Sequence, residues 1–180
     1  GVPDPLLEPV SFEVAPLNNA TLTAQDKAAL LAFQQEAGRV SREITAAVRR
    51  LDEASNRLRH VAATIRVTTD MPESSLATVR EMERRIAAVR IPLIGDRSVA
   101  RRQFETPASL SRRIGTAVYS SFSSTQGPSA SQQAQLRFAR EGFEALKPEI
   151  DAILADLASL ESELEHAGAP YTPSRRDSSI

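Results

Sequence analysis

The chain has no cysteine and no tryptophan, only two histidines, and aromatic residues make up just 4% of its 180 positions. Without cysteine there are no disulfides, no thiolate nucleophile and no thiolate-ligated metal, and the redox compartment stays undetermined. Two histidines, with no Gly-x-Ser-x-Gly elbow, leave most hydrolase mechanisms without their parts. The seven glycines form neither a dinucleotide fingerprint nor a phosphate-binding loop. No apolar run approaches the roughly 20 residues needed to cross a bilayer. An excess of charge is lacking too: 22 basic against 23 acidic residues gives a net charge of −1, so any affinity for an anionic surface has to be local. The chain opens Gly1-Val2-Pro3-Asp4-Pro5, with neither an initiator Met nor a signal peptide, and is expected to be a processed product, an excised domain or an incompletely described chain.

What is present is apolar periodicity. Phe33, Ala37, Val40, Ile44, Ala47, Leu51, Ala54, Leu58, Val61 and Ile65 alternate steps of four and three, and the pattern returns from Leu136 through Phe143, Ile150, Leu157 and Leu164 to Ala167. That is the heptad signature of long helices packed side by side. A chain of this size suits one domain, able to bury roughly 70% of the surface its unfolded form exposes.

Punctuation residues divide the chain. Thr23 and Asp26 suit the start of a first helix, expected to run to about Thr68. Asp70-Met71-Pro72 breaks it and starts a second helix with the stripe Leu76, Val79, Met82, Ile86 and Val89, ending before Pro92. Residues 93–106 read as a loop, and Thr106-Pro107 as the start of a short helix through Leu110, Ile114 and Val118. Ser129, with Gln132 in the capping-box position, opens the last long helix, and Gly168-Ala169-Pro170 stops it. Pro148 lies inside that helix and predicts a kink near Leu146. The expected fold is therefore all-α: an elongated, up-down-up, three-leg bundle with two long helices and a broken middle leg. The expected boundaries are an extended arm over 1–22, the bundle over 23–169 and a tail over 170–180.

The arm holds one exception to the helical pattern. Val10, Phe12 and Val14 alternate with Ser11 and Glu13 as in a strand with one buried face. No second strand pattern follows, so this one is expected to complete a sheet supplied by a further domain or by a partner.

Chemistry-bearing motifs are sparse. Glu163 and His166 form a Glu-x-x-His pair, the spacing used in carboxylate-bridged di-metal bundles. Such sites need a second pair, and the other histidine, His60, has Arg57 where the glutamate should stand. An acidic solvated face explains the motif better, and no catalytic, metal or cofactor residue is expected. Asn19-Ala20-Thr21 matches the glycosylation acceptor pattern, a motif short enough to arise by chance.

Charge is distributed unevenly. Eight arginines against two acids lie between Arg84 and Arg113, whereas the last long helix has eight acids against three bases. Mutual pairing of these legs is the expected explanation. The sharper alternative is an anion site on the arginines for lipid headgroups, contact with a membrane surface or an acidic partner. Nucleic acid is not expected, because only Phe104 interleaves the arginines.

The strand Ser11-Phe12-Glu13-Val14, the linker Pro16-Leu17-Asn18-Asn19-Ala20-Thr21-Leu22, the segment Leu110-Ser111-Arg112-Arg113-Ile114-Gly115, the cap Pro128-Ser129-Ala130-Ser131-Gln132-Gln133 and the end Gly168-Ala169-Pro170-Tyr171-Thr172-Pro173 carry a resemblance. Over nearly its whole length the chain resembles the C-terminal helical region of large bacterial proteins with sortilin-like, BNR-repeat β-propellers, often labelled glycosyl-hydrolase-like. The resemblance implies a strand that closes a small β-sandwich between propeller and bundle, and an extracytoplasmic setting, periplasmic or secreted. No propeller is present in this chain, so no propeller activity is implied for it. The expected function is a non-enzymatic scaffold or protein-binding module. The alternatives are an accessory domain of a glycan- or peptide-processing enzyme and an anion- or membrane-surface-binding module. Residues expected to meet a partner are Val10, Phe12 and Val14, then Arg97, Arg101 and Arg102, then Tyr171, Arg175 and Arg176.

Overall fold

The two heptad seams become two rods. In the computed structural model, which describes residues 10–15, 27–72, 74–122 and 125–172, α1 spans Lys27–Ile65 and α5 spans Ala130–His166. At about 1.5 Å per residue α1 is about 58 Å long. Between the rods lie α2 (Ser74–Ile94), α3 (Arg97–Arg101) and α4 (Leu110–Phe122). Every seam position of α1 from Ala37 to Ile65 is buried and Phe33 packs against them. On α5, Leu136, Ala139, Phe143, Ile150, Ile153, Leu157, Leu160 and Leu164 are buried, with Leu146 packed against them. One continuous core results, and it is almost entirely aliphatic.

Ion pairs fix the relative direction of the two rods. Glu36 meets Arg140 at 3.9 Å, Glu43 meets Lys147 at 3.6 Å and Arg57 meets Glu161, so α1 and α5 run parallel. In the middle leg Arg85 reaches Glu149 at 2.7 Å and Asp156 at 2.5 Å, and Arg90 pairs with Asp52. α2 starts shortly after α1 ends and packs back along it, so it runs antiparallel to both rods. The side-chain amide of Gln34 donates to the Ser121 carbonyl at 2.8 Å, and Gln132 donates to the Ser120 hydroxyl at 2.7 Å. These bonds tie the end of α4 to the starts of α1 and α5. The middle leg is thus α2 followed by α4, as expected for an up-down-up bundle.

Local chemistry sets the ends. Ser129 and Gln132 form the expected capping box, each side chain accepting from the other's backbone amide. At the far end of α5 the Ala169 amide donates to the Leu164 carbonyl and the Gly168 amide to Glu165, both at 3.0 Å. With Gly168 at φ +66°, this is a Schellman stop. α5 runs unbroken through Pro148.

Several boundaries differ from the sequence reading. α1 ends at Ile65 rather than near Thr68, where Val67 and Thr68 donate back only three residues in a tighter turn. α2 does not stop before Pro92: it carries the proline inside its last turn and ends at Gly95, whose amide donates to Ile91 at 2.8 Å and whose φ is +88°. Burial of Leu93 gives that extra turn its reason. The segment 93–106 contains α3, because Asp96 accepts from the amides of Ser98 and Val99 and so starts a helix that hydrophobic periodicity could not signal. α4 begins at Leu110, with Ser109 rather than Thr106 accepting from the first turn, at 3.3 Å from the Arg112 amide. The Thr23 cap and Asp26 lie outside the described residues.

The expected strand pairs with nothing among the described residues, where no sheet is present for it to join. Residues 10–15 contain no paired backbone, and Val10, Phe12 and Val14 are 85%, 84% and 80% exposed. The physical reason is supply: among the described residues there is no second strand to complete a ladder.

Candidate docking surfaces

The aromatic side chains lie mostly outside the core. Of the chain's six phenylalanines and two tyrosines, only Phe143 is buried and Phe33 half-buried; Phe12, Phe104, Tyr119, Phe122, Phe138 and Tyr171 are exposed. Phe138 is flanked by guanidinium groups, with Arg113 and Arg137 at 5.4 and 5.3 Å from its ring centre. Tyr119 and Phe122 sit on the last turns of α4, at the same end of the bundle as exposed Leu31 on α1. Tyr171 follows the Schellman stop, between half-buried Ala169 and buried Thr172, so the chain stays against the bundle for several residues beyond α5.

The residues expected to meet a partner occupy separate places. Val10, Phe12 and Val14 line the N-terminal segment, Tyr171 follows α5, and Arg97, Arg101 and Arg102 lie on α3 and its C-cap. Arg175 and Arg176 lie outside the described residues, as do Asn19 and Thr21.

The three arginines cluster at an elbow between α2 and α4. There the Asp96 carboxylate accepts from the Ser98 hydroxyl at 2.6 Å and from the Ser98 and Val99 amides at 2.8 and 3.3 Å. Those bonds, the hydroxyl first, hold its pKa below the ordinary value, and the nearby charge of Arg102 adds to the effect. Arg97, Arg101, Arg102 and Arg112 are all exposed, and none makes an ion pair among the described residues. Arg113 instead donates to the Ala108 carbonyl and to Gln135 at 3.2 and 3.0 Å. Internal pairing of the basic middle leg is therefore divided: Arg85 and Arg90 meet acids on the long rods, whereas the elbow arginines face solvent.

Sequence reasoning missed the buried ion pair. Arg57 and Glu161 are 6% and 5% exposed, with Nε donating to Oε1 at 2.8 Å and Nη2 donating to Oε2. The hydrogen bond to Glu161 raises the Arg57 pKa against the opposing effect of burial, with the charge of Glu161 adding to it. A signal existed, since both residues flank seam positions, Arg57 before Leu58 and Glu161 after Leu160. Arg112, Phe104 and Ile91 were also passed over as surface contributors, Ile91 because the second helix was read as ending there.

Catalytic geometry is sparse. His60 and His166 are both exposed, and the His166 ring lies 2.7 Å from the Ser162 carbonyl. Among the described residues no three His, Asp or Glu side chains converge as a metal site, and no helix is long and apolar enough to cross a membrane. A hollow of about 510 Å³ is an open groove between α2 and α5 edged by Ser74, Thr78, Arg85, Asp156 and Glu163, with neither histidine in its lining.

Comparison of the chain with protein-family models, curated proteins and solved structures gives no match.

Proposed function

We propose that this chain is a non-enzymatic, protein-binding helical module that docks onto a larger assembly through its extended arm, its elbow and its tail. The observation that carries the reading is the aromatic distribution: six of eight rings face solvent around a core that closes without them. Exposed aromatic surface is costly in water and is the commonest source of binding energy at interfaces. The parallel rods give a rigid frame that spaces these contacts, and the unpaired Val10–Val14 segment suits addition to a partner's sheet. The resemblance to the helical regions of propeller proteins adds an extracytoplasmic setting to the proposal. It also keeps a second reading, an accessory domain serving a propeller enzyme, whose partner would be that propeller alone.

The test is a set of serine replacements at Phe12, Phe104, Phe122 and Tyr171, with thermal unfolding and copurification from the native source measured together. The reading expects unchanged unfolding and loss of the copurifying partner. Unfolding of the variants, recovery of the native chain as a lone monomer, or turnover that disappears in His166→Ala would each overturn it.

A further inference from the structure

We propose that the elbow of α3 and the first turn of α4 binds an acidic protein segment, whose carboxylate enters between Arg97 and Arg112 and whose neighbouring apolar side chain rests on Ala87, Ile91 and Ile94. The inference deepens the docking reading above and rests on it. Arginines that reach between the helices are matched: Arg57 by Glu161, Arg85 by Glu149 and Asp156, Arg90 by Asp52. Arg42, Arg49, Arg66 and Arg80 are exposed without an ion pair among the described residues, but they are scattered over α1, the turn after it and α2. Among the described residues, four such cations gather at the elbow.

The elbow itself contributes nothing to the core. All five residues of α3 remain outside it, and a helix this short does not persist by its own propensity. It is held by the Asp96 cap and followed by Gln103 at φ 58°, a left-handed conformation unfavourable for a non-glycine residue. A turn with no return in burial, carrying four arginines with no ion pair among the described residues, is placed to meet something outside the bundle.

Shape selects the partner. Two hollows flank the Ile94–Arg97 turn. One, about 170 Å³, has Arg97 and Arg112 in its wall with Thr106 and Ser109; Asp96 also lines it, its Oδ1 engaged by Ser98 and Val99. The other, about 320 Å³, has an apolar floor of Ala87, Ile91 and Ile94, with Ile91 50% exposed, and a charged rim of Arg90, Asp96 and Arg97. A guanidinium fork matches a carboxylate in two parallel bonds, and an adjacent apolar ledge takes the next side chain of the same segment. A bilayer surface asks instead for a long amphipathic face lying in one plane, which a five-residue helix beside two hollows does not offer.

The probes are a short alternating Glu-Leu peptide, the same peptide with serine in place of leucine, and phosphatidylserine–phosphatidylcholine vesicles, each titrated into the intact chain. The Glu-Leu peptide is expected to bind, with amide shifts confined to the elbow. Its affinity is expected to fall about tenfold or more in Arg97→Gln/Arg112→Gln and to stay unchanged in the control Arg42→Gln/Arg49→Gln. The serine peptide is expected to bind about tenfold more weakly, since it loses the apolar contact. Failure of the Glu-Leu peptide to bind, an equal loss in the control, equal binding of the serine peptide, or binding to vesicles in place of peptide each overturns the assignment. Those outcomes would leave the docking module intact, because its own test reads the aromatic residues and the native partner.

Discussion

Arg57 of α1 and Glu161 of α5 close a two-bonded ion pair inside an aliphatic interface, 104 residues apart in sequence. The same separation recurs between Glu36 and Arg140 and between Glu43 and Lys147. In heptad terms each is a pair flanking the seam of two parallel helices, and the charge order reverses along the rods: acid, acid and then base on α1 against base, base and then acid on α5. Antiparallel rods would set Glu36 near Glu161 and Arg57 near Arg140. The ladder therefore specifies direction and register as well as contributing contact.

Removing one member of the buried pair should be far worse than removing both. Arg57→Met leaves the Glu161 carboxylate buried without its partner and is expected to cost about 3–5 kcal/mol in urea unfolding. Arg57→Met combined with Glu161→Leu should recover most of that loss. A double variant as unstable as the single one would show that the pair is not the source of the effect.

Seam positions carry the fold. Leu51 and Leu157 are fully buried, so Leu51→Asp or Leu157→Asp places an unpaired charge in the core and is expected to unfold the bundle at room temperature. Circular dichroism of the purified variants checks this. Retention of native helicity and a cooperative melt would mean that the rods do not depend on one another.

Two glycines should respond in opposite directions to the same change. Gly115 lies within α4 with nothing within 4 Å of an added Cβ, so Gly115→Ala is expected to stabilise by about 0.5–1 kcal/mol. Gly168 sits at φ +66° in the Schellman stop, so Gly168→Ala is expected to destabilise by about 1 kcal/mol through backbone strain, although space is open there too. Thermal unfolding of the pair separates conformational cost from packing cost.

Acid should release the elbow before the core. The Asp96 carboxyl has a folded pKa below its usual 3.8. Its contribution to α3 is thus complete above that value and is lost as pH falls through the lower, folded one. Amide resonances of Ser98 and Val99 should shift together in that window while those of Leu51 and Leu157 hold, and Asp96→Ala should show the acid pattern already at neutral pH. Shifts of Ser98 and Val99 only on global unfolding would contradict this.

How far the sequence could be read followed from how local each signal was. The seams, the Ser129 capping box and the Gly168 stop were legible because each is set by residues within a turn or two. Pro92 misled because a proline in a last turn removes a single bond, and the burial of Leu93, a tertiary fact, outweighed that loss. Asp96 was overlooked because a five-residue helix has no period to detect. Arg57 was read only as hostile to a metal at His60; its true partner lies on another rod.

Heptad spacing and the proline and glycine punctuation determined that this chain builds two long helices with apolar seams and a broken leg between them, since burial of a periodic face needs no knowledge of the neighbour. Which arginines are neutralised and which face water was decided only when the rods aligned in parallel. Electrostatic pairing depends on distances of a few ångströms between residues about a hundred positions apart, and only the packed bundle sets those distances.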